Sequence, residues 1–254
     1  MPHGCPKVRK RRNTIRAYRG DLAVFGKYME TEKKDIKPAF SKPEIKNNKK
    51  EVPLAIYREQ FAAIDPKERA EILNLRYEGD TFYLRLLNTD YRIHWPDGRI
   101  ESDDPGAVVF GYGNGETLLL RYLMFGQVLP YTGQYKTFRE LPWGEVYIKP
   151  YTGRCITRLA FKGGMNPELF GRAAELLGGR QVPHGDAGYE FDYTGEYRLQ
   201  AFVWQGDEEF PPSSQILFSD NFAAGFAAED SVVAAEALVT AISRKMDELK
   251  RQQA

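Results

Sequence analysis

Three consecutive carboxylates, Asp207, Glu208 and Glu209, stand in the stretch WQGDEEFPPSSQILFSD, Trp204 to Asp220, between two apolar runs, Leu199 to Trp204 and Gln215 to Phe218. Such a triplet has two chemical uses. Its oxygens can surround a hard cation, or two of its members can act as general acid and base with pKa values split by mutual repulsion. Either use requires convergence, and consecutive residues of an extended loop point in different directions. The plain reading is therefore a solvated turn, with Asp207 after Gly206 holding the turn through its own side chain.

Three other groups carry residue types that could do chemistry. Gly111-Tyr112-Gly113-Asn114-Gly115 could cradle a phosphate at a helix N-terminus. No P-loop lysine follows, and Glu116 stands where a dinucleotide fingerprint needs its third glycine, so this reads as a loop. His184-Gly185-Asp186, with Asp192 nearby, offers mixed nitrogen and oxygen ligands, but a transition-metal site needs more donors than this loop supplies. Cys155 is expected in a strand as a buried, inert thiol, since no Cys-His motif accompanies it.

Aromatic residues are abundant, and Tyr131, Tyr135, Phe138, Trp143, Tyr151, Trp204 and Phe210 fall in irregular segments. Aromatics in loops wall a pocket for a flat or apolar ligand, or simply pack loops on a sheet. Arg139 and Glu140 could fix a ligand's polar edge or pair with each other. The ligand-binding candidates are accordingly Arg139, Glu140, Trp143, Trp204, Asp207, Glu208, Glu209 and Phe210. A rival chemistry, metal-assisted hydrolysis or group transfer, would use Glu208, Glu209 and Asp186 with Arg139 stabilising developing negative charge. No motif identifies a cofactor.

The elements that must position these residues follow from periodicity. Leu54, Tyr57, Phe61 and Ile64 recur at helical spacing, and Asp65-Pro66-Lys67-Glu68 opens a second helix with a capping pattern. From Thr81 to Ile100 the period is two, with Phe82, Leu84 and Leu86, then Tyr91, Ile93 and Trp95, on single faces; Asn88-Thr89-Asp90 and Pro96-Asp97-Gly98 supply the turns of a meander. Leu118 to Phe125 reads as a buried helix ending at Gly126. Tyr135 to Ile156, punctuated by Pro142, Gly144, Pro150 and Gly153, reads as a second β-rich region. Asn166-Pro167-Glu168 opens a helix that Gly178-Gly179 closes. The hairpin carrying the acidic loop precedes a final amphipathic helix, about Glu229 to Arg251, with Val232, Ala235, Val239, Ile242, Met246 and Leu249 along one face. Clustered strands with short connections predict an α+β fold, a single domain over residues 51–254 with a mainly antiparallel sheet packed by helices.

At 254 residues and 42% hydrophobic, the chain can bury a sizeable core. Leu118 to Phe125, broken by Arg121, falls far short of the ~20 residues of a membrane span, so no membrane partner is expected. The basic start, Lys7 to Arg12, lacks the apolar stretch of a secretory signal. Two cysteines, Cys5 and Cys155, build no disulfide framework and no four-thiolate site, which favours a reducing compartment and a cytoplasmic location.

The net charge of +1 conceals an asymmetry. Residues 1–50 carry 15 Lys and Arg against 5 Asp and Glu, and the remainder carries 21 against 30. A basic, flexible arm thus precedes an acidic body. The arm could contact a polyanion or a protein partner; the patterning favours a solvated tail, or Met29 as the initiating residue.

The blocks LLLRYLMFGQVLPYTGQYKTFRELPWGEVY (118 to 147) and VWQGDEEFPPSSQILFSDNF (203 to 222), followed by AED (228 to 230), resemble the family called domain of unknown function 3786. The resemblance runs from about Pro53 to Leu249, and FRELPWG and W-x-GDEEFP are its most specific elements. It implies one α+β domain, found chiefly in anaerobic bacteria and archaea, with no established activity and no catalytic residues to carry over. Some relatives resemble fusions to a cysteine-rich iron-sulfur segment, from which this chain departs because residues 1–50 contain only Cys5. The expectation is a non-catalytic small-ligand-binding or accessory protein of anaerobic cofactor or electron-transfer metabolism.

Overall fold

The computed structural model describes residues 52–111 and 114–253. The arm of residues 1–50, including Cys5 and Met29, lies outside the described residues, as do Tyr112 and Gly113 of the glycine-rich loop. The described chain is one α+β domain built on two antiparallel sheets.

Helix α1, Val52–Ala62, leads into α2, Pro66–Leu73. Asp65 caps α2 by accepting the backbone N–H groups of Lys67 and Glu68, which have no intrahelical acceptor, and Pro66 occupies a first-turn position where a missing N–H costs nothing. The first sheet is a meander, β1 (Arg76–Glu78), β2 (Thr81–Leu86), β3 (Thr89–His94) and β4 (Arg99–Glu101), ordered β1-β2-β3-β4. Phe82, Leu84 and Leu86 pair across it with Ile93, Tyr91 and Thr89. The β2–β3 turn is tighter than expected: Thr89 and Asp90 already belong to β3, and the turn residues are Leu87 and Asn88, both at positive φ (46° and 63°). Two left-handed residues match the twist of a two-residue hairpin, and a leucine at the first position is unusual. Its backbone N–H donates to the Tyr193 carbonyl oxygen at 2.9 Å, tying this turn to the second sheet.

Helix α3, Gly115–Phe125, is buried on most sides, through Leu118, Leu119, Leu120, Tyr122, Leu123 and Met124. Arg69 of α2 donates to the Leu123 and Gly126 carbonyl oxygens at its C-terminal end, at 2.7 and 2.5 Å, where a cation also opposes the helix dipole. The second sheet has the order β5-β9-β8-β7-β6, from Tyr135–Thr137 (β5), Arg180–Gln181 (β6), Ala187–Thr194 (β7), Tyr197–Trp204 (β8) and Ser213–Ser219 (β9).

Of the expected β-rich region Tyr135 to Ile156, only Tyr135–Thr137 is a strand. The rest is helical with changing winding: 3-10 turns at Phe138–Glu140 and Gly144–Tyr147, α4 at Ile148–Tyr151, and π turns at Thr152–Thr157 and Ala160–Gly164. Cys155 therefore sits in a π turn, not a strand. Packing decides the winding: Tyr151, Cys155, Leu159 and Gly163 are all buried at a spacing of four, and Tyr151 stacks on Phe138 with centroids 4.1 Å apart.

Helix α5, Pro167–Leu176, is capped by the Asn166 side chain, and Gly178 at φ +80° follows it. The short α6, Phe222–Gly225, precedes α7, Ala228–Gln253, the longest element. The six apolar positions expected along α7 are all buried, together with Ala234, Ala237 and Leu238. The π-containing segment lies along α7 with ascending register: Arg154 pairs with Glu236, Arg158 donates to Thr240 Oγ1 at 3.0 Å, and Lys162 pairs with Asp247 at 2.5 Å.

Candidate functional site

Strand β9 organises both signature blocks. Thr137 of β5 faces Leu217, so FRELPWG begins beside the middle of β9, and the acidic loop begins at its other end, beyond Ser213. The four residues from Leu217 to Ser213 span ~13 Å of strand. The π-containing segment bridges that distance along β9: the Tyr151 hydroxyl donates to the Ile216 carbonyl oxygen, Ser214 Oγ donates to that of Ile156 at 2.7 Å, and Gly164 meets the loop. A Cβ on Gly164 would fall 2.7 Å from the Trp204 carbonyl oxygen and 2.8 Å from Pro212 Cβ, so the close approach requires glycine. This packing also covers the edge of β9 that β5 leaves open.

FRELPWG is a self-fastened knot. Glu140 Oε2 accepts both the backbone N–H and the hydroxyl of Thr137 at 2.8 Å, and these bonds hold its carboxyl below the ordinary glutamate range. Arg139 pairs with Glu145 at 3.2 Å, both side chains being exposed. Trp143 adopts a left-handed conformation, φ 64°, which lets Gly144 turn back against Phe138. A Cβ at 144 would lie 1.9 Å from the Phe138 carbonyl oxygen. Trp143 itself is 77% exposed.

In the acidic loop, Asp207 Oδ1 accepts the backbone N–H groups of Phe210 and Glu209 at 2.7 and 2.9 Å, and the Asp207 N–H donates to the Phe210 carbonyl oxygen. The bonds from Phe210 and Glu209 hold the Asp207 carboxyl below its usual range. Glu208 and Glu209 point into solvent, and Phe210 is 68% exposed. Asp186, the third ligand of the rival reading, receives the backbone N–H of Gln205 at 2.6 Å and so fastens the loop's entry. Among the described residues no group of three or more His, Cys, Asp or Glu is arranged to hold a metal ion.

His184 lies edge-on to Phe202 and Trp204, at 4.7 and 5.5 Å between centroids. The loop aromatics thus divide by fate. Phe138 and Tyr151 are core, Tyr131 and Tyr135 are half-buried, and Trp143 and Phe210 stand in solvent. Before α3, a Cβ on Gly115 would lie 2.2 Å from the Val109 carbonyl oxygen, and Glu116 pairs with Arg58 at 3.0 Å, so close packing accounts for that glycine. Cys155 is fully buried with its thiol directed at the Val232 carbonyl oxygen, and burial pushes its pKa up to about 12.

One polar network escapes the sequence reading. Glu190, on β7, receives the Tyr135 hydroxyl at 2.5 Å, Gln200 Nε2 at 3.1 Å and Arg180, which also grips Asp192. Arg198 lies over the Tyr131 ring, 4.6 Å from its centroid. The available signal was the polar alternation Glu190, Asp192 and Arg198, Gln200 on paired strands, which marks the sheet face turned from the core.

No helix among the described residues is long and apolar enough to cross a membrane. No curated protein and no solved structure matches the chain. The two blocks fastened along β9 both fall inside residues 65–241, a narrower span than the resemblance suggested, and over that span the chain matches the family model described as Domain of unknown function (DUF3786), the family to which it belongs.

Proposed function

We propose that the chain is a non-catalytic binding or accessory protein that holds a small, flat or apolar ligand at the aromatic border of the acidic hairpin. The observation that carries this reading is a division of labour. Glu140, Asp207 and Asp186 each accept local donors that shape their own loops. Trp143 and Phe210, which shape nothing in the core, are 77% and 68% exposed. Catalytic carboxylates need a free oxygen aimed at a shared point, whereas exposed aromatics beside a rigid corner suit contact. In this reading the protein serves anaerobic cofactor or electron-transfer metabolism, where it would carry or present a ligand.

The test is mass spectrometry of protein purified without oxygen, under native and denaturing conditions. A small molecule that is retained by the wild type and lost from Trp204→Ala and Phe210→Ala supports the reading. A protein that is empty, and that takes up nothing from a cell extract, overturns it.

A further inference from the structure

A groove of different chemistry lies at the C-terminal end of α7. An open groove of about 670 Å³ runs between the Pro105–Gly106 turn and the side chains of Arg244, Lys250 and Arg251. Two carboxylates also line it, and both are engaged elsewhere: Asp247 pairs with Lys162 at 2.5 Å and Glu248 with Lys245 at 2.6 Å. Arg244, Lys250 and Arg251 have no ion pair or hydrogen bond to any of the described residues. Three cations with no ion-pair partner among the described residues therefore gather on a body in which acidic residues outnumber basic ones.

Basic residues in the last turn of a helix ordinarily complement its dipole, which accounts for Lys250 and Arg251. It does not account for Arg244. That residue lies seven positions before Arg251, two full turns or ~10 Å back along the axis, beyond the reach of the terminal carbonyls. It is also half-buried, and among the described residues the group it acts on is the neutral Tyr91 hydroxyl, which does not offset its charge. The opposite wall is fixed, since Asp104 Oδ1 takes the Gly106 N–H at 2.7 Å and the Asp104 carbonyl oxygen takes the Ala107 N–H. The groove is thus a rigid helix face with two guanidinium forks on one side and a side-chain-free glycine turn on the other.

We infer that this groove binds a phosphate-bearing small molecule. Planar guanidinium groups engage phosphate oxygens in pairs, three cations match a ligand carrying two or three negative charges, and the volume falls within the ~300–1,000 Å³ usual for small-molecule sites. The site is independent of the acidic hairpin and of the reading proposed for it.

The experiment is a calorimetric titration of the full chain with inorganic pyrophosphate at low salt. Saturable binding with one equivalent is expected, weakened by about tenfold or more in the double variant Arg244→Gln/Arg251→Gln, a loss of ~1.4 kcal/mol. Because the basic arm is intact in that variant, unchanged affinity would assign binding to the arm and overturn the groove. Absence of saturation by about 10 mM would also overturn it. Should the double variant fold poorly, Arg251→Glu, confined to the exposed last turn, must produce the same weakening, and unaltered binding in it would be equally decisive against the groove.

Discussion

Asp186 Oδ2 accepts the backbone N–H of Gln205 at 2.6 Å, joining the loop ahead of β7 to the first residue of the acidic loop. A carboxylate that sequence alone offers as a metal ligand is therefore a clasp. Asp186→Ala should lower stability by about 0.5–1.5 kcal/mol, the net contribution of one such bond, measured by urea denaturation. A ligand role would instead make its stability depend on added divalent cations, and wild type and variant should respond alike to them.

Two glycines of the helical region should respond oppositely to the same methyl group. Gly144→Ala places a Cβ 1.9 Å from the Phe138 carbonyl oxygen, against backbone that cannot swing away, and should cost at least ~1–3 kcal/mol. Gly153 has no atom within 4 Å of its added Cβ, so Gly153→Ala should be neutral or stabilise by about 0.4–1 kcal/mol through the unfolded chain. Thermal unfolding of both variants checks the pair, and equal shifts would contradict the tight knot at FRELPWG.

The Asp207 turn should loosen in acid. Its carboxyl is depressed in the fold by the Phe210 and Glu209 N–H groups, so its contribution is fully present above the unfolded value near 3.9 and is lost as pH falls through the lower folded value. Amide exchange at Glu209 and Phe210 should accelerate selectively at the bottom of that range. Asp207→Ala, which removes the side-chain acceptor, should show the fast exchange at neutral pH, with little further change in acid.

Cys155 should be silent to thiol reagents. With burial raising its pKa to about 12, almost no thiolate exists at pH 8, and the sulfur is fully enclosed. In a Cys5→Ser background the native protein should take up no iodoacetamide, and the denatured protein should take up one equivalent. Rapid labelling of the native form would return Cys155 to the list of nucleophiles.

The parts of the fold that sequence made legible are those whose signals are local. Asp65 and Asn166 cap helices with short side chains at fixed offsets, and alternation across Phe82, Leu84 and Leu86 fixes a sheet face. The segment after Thr137 is not legible in this way because its winding follows tertiary contacts. Pro150 and Gly153 punctuate it like loops, and π turns carry apolar residues at wider spacing than the 3.6 period that marks a helix. At the candidate site, sequence identified both signature blocks as special but could not show that Glu140 and Asp207 face inward to their own backbones. The groove beside Arg244 joins residues nearly 140 positions apart in the chain, a proximity no local pattern encodes.

The ladder of Arg154, Arg158 and Lys162 against Glu236, Thr240 and Asp247 has a consequence for how this family can change length. A π turn accommodates more residues per revolution than an α turn, so deleting one residue between Thr152 and Gly164 would let the segment rewind as α-helix. The tighter α winding would make up for the lost residue, so side chains beyond the deletion would keep roughly their direction about the axis. Lys162 would stay on the side that faces Asp247, and Gly164 would stay on the side that faces Trp204 and Pro212. Relatives can therefore lose one residue within either π turn and keep the acidic hairpin and the facing positions of the long helix unchanged, whereas a gap in an α-wound stretch would turn everything after it by ~100°.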